Sequence, residues 1–280
     1  KTNQTSLTFV PDTADASDHE AAAQAIAAGL ASGHTAQRPG FWLHTGGTGI
    51  LCWEDMQHGR LGERTEKEYN DWTDVSSLTH LPASAFHRNV DQLVLEAGAK
   101  NPAAVKTAIV CPPTIYGPGR GPSNARSRQA YELAKFVLAE RRVPIIGAGA
   151  AQWNNIHVAD LADVFILLVE AAVARNLDPE LWGAEKGYYL VENGEHVWAG
   201  VARLMGEKAV ELGFLDEGVE EVRLEREAAE ELAGFEAVSW GLNSRGRAER
   251  ARRVLGWRPY RKSLEDEVEG ILRSERERLG

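Results

Sequence analysis

The sequence predicts an α/β fold built on a parallel sheet, and three observations carry that prediction. Short apolar runs alternate with longer helical stretches along the first two thirds of the chain. Their order is strand, helix, strand, in which each helix returns the chain so that the next strand lies parallel to the last. Finally, 280 residues of which 43% are hydrophobic suffice for a sizeable core, as one large domain or two small ones.

The strand candidates are LTFV at Leu7 to Val10, GFWLHT at Gly40 to Thr45, KTAIVCP at Lys106 to Pro112 and VPII at Val143 to Ile146, each bounded by Gly, Pro or polar residues. Between them, His19 to Leu30 is Ala-rich, Ala83 to Ala97 carries an apolar face, and Ser127 to Glu140 runs into Arg141 and Arg142, cations that suit a helix C-terminus. WEDMQHGRLGERTEKEYNDW, from Trp53, is polar and turn-rich and shows no clear helix. Beyond Ile146 comes an apolar helix, Asp160 to Ala174, then a loop and a strand-like YYLV at Tyr188 to Val191, which read as a smaller second lobe. The expected units are therefore residues 1–150 and 151–280, with the chain crossing between them. Glu207 to Glu236 is acidic and amphipathic, the pattern of solvated helix faces. Asn243 or Ser244 starts a helix that stops at Gly256, and Ser263 with Asp266 forms a capping pair for the last helix.

Charge and composition exclude several functions. With 31 basic against 41 acidic side chains the net charge is -10, so neither nucleic acid nor an anionic membrane is the expected main partner. Two cysteines, Cys52 and Cys111, make no disulfide framework and no Cys-rich metal site, and they suit a reducing compartment. No apolar run spans a bilayer and the start KTNQTS has no signal-peptide core, so the expected location is the cytoplasm. Arg245, Arg247, Arg250, Arg252, Arg253, Arg258, Arg261 and Lys262 form a basic run, read either as a solvated surface or as a holder of an anion.

TGGTGI at Thr45 to Ile50 follows a strand as a dinucleotide-binding turn would. The residues after it supply neither a clear helix nor a second strand with a ribose-binding acid, so the phosphate-loop reading is disfavoured.

Taken in order, FWLHTGGTGI, PPTIYGPGRGP (Pro112 to Pro122), WNNIHVADLADVFILLVEAA (Trp153 to Ala172) and RARRVLGWRPYRKSLEDEV (Arg250 to Val268) resemble the later part of an extended short-chain dehydrogenase/reductase. That family comprises NAD(P)-dependent epimerases, dehydratases and related reductases; within it the chain looks closest to fungal NAD(P)-binding proteins. The resemblance runs from about Leu7 to Leu272 and implies a Rossmann-like parallel sheet with a smaller, mostly helical C-terminal lobe. The family's opening strand, Gly-rich turn and helix, and the next two strands, are not matched, which implies an incomplete sheet whose first strand is an open edge that favours homo-oligomers.

The resemblance implies NAD or NADP as cofactor, with Pro112, Pro113, Ile115 and Tyr116 on the nicotinamide side. Family catalysis uses a Tyr and a Lys four residues later; here His87 and Asp91 occupy those positions. A His oriented by an Asp is an acid or base near neutral pH, and the competing reading is that both cap and solvate the helix. Thr45 and Thr48 are the hydroxyls left beside Gly46 and Gly47, as donors to a substrate oxygen or to the backbone. Trp153, Asn154, Asn155 and His157 are the expected substrate pocket; an Arg common in nucleotide-sugar enzymes is absent there, so a small, weakly charged substrate is expected. The functional expectation is an NAD(P)-dependent oxidoreductase or epimerase-like enzyme, with a non-catalytic dinucleotide sensor or interaction protein as the alternative, and no metal.

Overall fold

A computed structural model describes residues 9–122 and 124–280. The strands are β1 (Phe9–Asp12), β2 (Gly40–Thr45), β3 (Tyr69–Asn70), β4 (Val105–Cys111), β5 (Thr114–Tyr116), β6 (Arg142–Ile146), β7 (Gln152–His157), β8 (Tyr188–Leu190), β9 (Gly194–Val197), β10 (Glu220–Leu224) and β11 (Gly246–Arg247). The helices are α1 (Glu20–Gly33), α2 (Trp53–His58), α3 (Val75–Thr79), α4 (Arg88–Lys100), α5 (Gln129–Glu140), α6 (Val158–Val173), α7 (Trp198–Glu211), α8 (Arg226–Ala233), α9 (Phe235–Ser239), α10 (Arg250–Val254) and α11 (Leu264–Leu279).

The main sheet is parallel throughout, in the order β1-β2-β4-β8. Phe41, Trp42, Leu43 and His44 are all buried, as strands covered on both faces must be. Helices α1 and α4 pack together beside the sheet, and α6 packs on β2 and β7. A second core gathers α5, β6, α7, α9 and α11. Between the two lies a sheet in the order β5-β7-β9, with β5 and β7 parallel and β9 antiparallel.

Most expected elements form, with shifts that have local causes. Strand β1 runs two residues later than LTFV, and Leu7 and Thr8 lie outside the described residues. The expected helix at Ala83 begins only at Arg88, because His87 adopts a left-handed φ of 65° and breaks the turn before it. Helix α2 forms within the stretch read as turns. The helix expected from Asn243 shrinks to α10, because both Asn243 and Ser244 are spent on long-range bonds, to Asp55 and to the Thr48 carbonyl. Ser263 and Asp266 close a reciprocal capping box on α11.

A boundary at residue 150 does not separate the cores in space. Strand β6 and α5, before it, belong to the second core, where β6 pairs with β10; β8 and α6, after it, complete the first. Among the described residues β1 pairs with β2 alone and is an open edge, and no helix is long and apolar enough to cross a membrane.

Candidate active site

The turn after β2 is stitched to β4. Gly46 N–H donates to the Val110 carbonyl (2.9 Å), Thr48 N–H to the Pro112 carbonyl (2.9 Å) and Ile50 N–H to the Gly47 carbonyl (3.1 Å). Amides already bound to carbonyls do not cradle a pyrophosphate, so TGGTGI is not a phosphate loop. Its glycines serve close approach instead. A Cβ on Gly46 would lie 3.2 Å from Asp91 Oδ1, and one on Gly47 would lie 3.3 Å from His87 Nε2. Hydroxyl-bearing residues at these two positions would crowd both side chains.

A cavity of about 280 Å³ opens at this turn, at the C-terminal ends of β2 and β4, where parallel sheets bind ligands. Gly46, Gly47 and Thr48 form one wall with Phe86 and His87; Pro112, Pro113, Ile115 and Trp153 form another. Arg128, Phe235 and Glu236 reach it from the second core, with Arg128 paired to Glu236 and the Phe235 ring 4.5 Å from that of Phe86. Asp15 and Asp18 lie at its lip.

His87 is the imidazole that lines the cavity. Its Nδ1 lies 2.7 Å from Asp18 Oδ1, and its ring lies against Phe86, tilted 45°, with centroids 3.8 Å apart. A carboxylate only accepts, so the neutral imidazole carries its proton on Nδ1 and keeps the Nε2 lone pair beside Gly47. The expected partner was Asp91. The structure corrects this: Asp91 sits in the first turn of α4, its amide bonded to the His87 carbonyl, and its carboxyl points into the core.

There Asp91 joins a buried chain. Asp12 Oδ2 lies 3.0 Å from His44 Nδ1, His44 Nε2 lies 3.7 Å from Asp91 Oδ1, and the Tyr188 hydroxyl donates to Asp91 Oδ2 at 2.8 Å. Burial raises the Asp91 pKa, an effect His44 partly offsets. Burial, reinforced by the Asp91 charge, pushes Tyr188 and Cys111 upward too, which keeps the phenol and thiol protonated and inert.

The remaining expected residues divide. Thr48, Pro112, Pro113, Ile115 and Trp153 line the cavity, and the buried Thr48 hydroxyl has no hydrogen-bond partner among the described residues. Thr45 ends β2 outside the lining, its hydroxyl also without a partner. Tyr116 turns away and donates its hydroxyl to the Lys262 carbonyl at 2.7 Å, so it is not a nicotinamide contact. Asn154 and Asn155 point to opposite faces of β7 and are both interior ties, to Gly246 N–H (2.6 Å) and His196 Nδ1 (3.0 Å). His157 caps α6 and borders a different concavity. The sequence reading missed Asp18, His44 and Tyr188. A histidine inside the apolar run FWLHT was the one available signal, since a buried imidazole needs polar partners. Among the described residues no cluster of three or more His, Cys, Asp or Glu could hold a metal ion.

A model of the NAD dependent epimerase/dehydratase family matches residues 74–178. The chain is 38% identical over 269 residues to the oxidase ucsJ of an Acremonium species, covering 94% of this chain and 76% of that one. It belongs to the epimerase/dehydratase group of extended short-chain dehydrogenase/reductases. Solved members share the fold of this family at low identity. UDP-glucose 4-epimerase of Thermotoga maritima superposes with TM-score 0.58 at 12% identity, over 98% of this chain and 78% of that one. ADP-L-glycero-D-manno-heptose-6-epimerase of Helicobacter pylori gives 0.60 at 11%, over 97% and 73%. DesIV, a dTDP-glucose 4,6-dehydratase of Streptomyces venezuelae solved with NAD bound, gives 0.56 at 15%, over 96% and 73%.

Proposed function

We propose that the chain is an NAD(P)-dependent oxidoreductase acting on a small, weakly charged substrate, with His87 moving the proton. The observation that carries this reading is the His87 ring, held at Nδ1 by Asp18 and presenting Nε2 to the cavity. In the oxidising direction Nε2 takes the proton of a substrate hydroxyl; in the reducing direction it returns one. Asp18 holds the ring's orientation and stabilises the imidazolium that forms. The Thr48 hydroxyl, buried and unpartnered at the same wall, donates to the substrate oxygen.

The cavity suits the ring end of a nicotinamide cofactor. Pro112 and Pro113 bring apolar faces and no N–H, and Ile115 adds a third face. When bound, the cofactor supplies hydride chemistry. Phe86, Phe235 and Trp153 add aromatic walls, and Arg128 is already neutralised by Glu236, which supports a weakly charged substrate. Two buried free cysteines support work in a reducing compartment, the cytoplasm, and the open β1 edge supports association of copies along it.

The alternative, a non-catalytic dinucleotide sensor, is favoured by Asp91, which stands in the family's Lys position but is closed into the core. One experiment separates the two. Thermal unfolding with NAD(H) or NADP(H) at about a hundredfold excess over the dissociation constant should gain roughly 2.7 kcal/mol if either reading holds. Cofactor reduction with a panel of small uncharged alcohols, lost in His87→Gln, supports the enzyme; binding without turnover supports the sensor; no binding removes both.

A further inference from the structure

We infer a second ligand site, for a phosphate group, in a concavity of about 350 Å³ at the C-terminal ends of β5 and β7. It shares no lining residue with the His87 cavity. Trp153 and His157 border the two spaces from opposite ends of β7, about 13 Å apart along an extended strand.

The cations there differ from the rest of the basic run. Arg245, Arg247, Arg250, Arg252 and Arg253 each pair with a carboxylate, and Arg258 donates to two main-chain carbonyls. Arg261 and Lys262 pair with no carboxylate among the described residues, and neither does Arg120 from the loop after β5. In a chain of net charge -10, three cations without a carboxylate partner among the described residues converge on one concave space, Arg261 lying over the Tyr260 ring at 4.5 Å. Glu267 is the carboxylate that lines it with them, an excess of two positive charges among the lining residues, while the buried Asp160 beside it is engaged by the Tyr260 and Arg261 N–H groups.

The second observation is His157. Its residue is only 8% exposed, and its Nδ1 accepts the Ala159 N–H at 3.0 Å. The neutral ring therefore carries its proton on Nε2, a donor with no partner among the described residues. Gly117, at φ 85°, keeps that ring edge clear: a Cβ there would fall 2.4 Å from Nε2. The N-terminus of the 16-residue α6 adds its dipole at the same place. A guanidinium fork, an ammonium and an imidazole N–H suit the several oxygens and double charge of a phosphate better than a single carboxylate.

The test is calorimetric titration of the whole chain, at low ionic strength, with inorganic phosphate and separately with glycerol 3-phosphate. Saturable binding of either is expected. The double variant Arg120→Gln/Lys262→Gln should weaken it at least about tenfold, as loss of charged hydrogen bonds does. His157→Asn, which keeps an oxygen to cap α6 while removing the Nε2 donor, should weaken it several-fold with an unchanged unfolding temperature. Binding of both probes assigns the site to the phosphate group itself, and binding of glycerol 3-phosphate alone assigns it to an organic phosphate. No saturable binding of either, or equal binding by the double variant, overturns the inference.

Discussion

Two histidine–aspartate pairs meet the Gly46–Gly47 turn, and they live in different solvents. His87 with Asp18 borders the cavity, its side chain 11% exposed; His44 with Asp91 lies in the core, at 0% and 1%. The same two residue types do different work because reach and dielectric differ. In the cavity, one carboxylate fixes one proton and leaves a nitrogen free for a substrate. In the core, His44 stands between Asp12 and Asp91, and Asp91 also receives Tyr188, so the group is tied down and reaches nothing that diffuses. A pair of acid-base residues becomes a candidate for catalysis only where one heteroatom stays both oriented and accessible.

Substitutions break this comparison from either side. His87→Gln should lower turnover about 10³-fold, roughly 4 kcal/mol of activation free energy, while leaving the urea midpoint unchanged. Asp91→Ala should do the reverse. It strips the Tyr188 hydroxyl of its acceptor inside the core and should reduce unfolding stability by about 3 kcal/mol in urea titration, with cofactor binding intact in the folded fraction.

A third carboxylate calibrates the buried side. Burial raises Asp71 from 3.8 to about 7, against three backbone N–H groups that favour its charge. Its folded pKa lies above its unfolded one, so its contribution is full below about pH 4 and is lost as pH rises through about 7. Relative to Asp71→Asn, the parent chain should therefore lose roughly 2.6 kcal/mol of stability between pH 5 and 8. A flat difference across that range would mean that the backbone bonds outweigh burial. The smallest effect belongs to the orienting residue. Asp18→Asn should lower turnover about tenfold, by roughly 1.4 kcal/mol, and should distort the pH profile more than the KM, with no change in unfolding temperature.

How much of this was legible in the sequence follows from the range of each interaction. GFWLHT announced β2 through its apolar run, and Ser263 with Asp266 announced α11, because those signals span a few residues. Thr48, Pro112, Pro113, Ile115 and Trp153 were legible as cavity residues because each sits at a strand end within a recognisable motif. His87 was found, but its partner was not. Asp18 lies 69 positions upstream, and the helical spacing that suggested Asp91 fails because the positive φ at His87 puts that residue outside the helix. Asn154, Asn155 and Tyr116 were expected at the site from the family motifs that hold them, but their bonds run to Gly246, His196 and Lys262, distant in sequence. Local pattern fixes which element forms; which side of a strand faces the cavity is decided by partners that only the fold brings near.

The most direct test of the account is the tautomer of His87, which requires no substrate. Long-range ¹H–¹⁵N correlation spectra of the side-chain imidazoles above their titration range, with His87 assigned by its loss in His87→Gln, report which nitrogen carries the proton. The account predicts protonation at Nδ1 and a bare Nε2, shifting toward the opposite tautomer in Asp18→Asn. A proton on Nε2 in the parent chain would leave no lone pair facing the cavity and would contradict the role of His87 as the group that accepts the substrate proton.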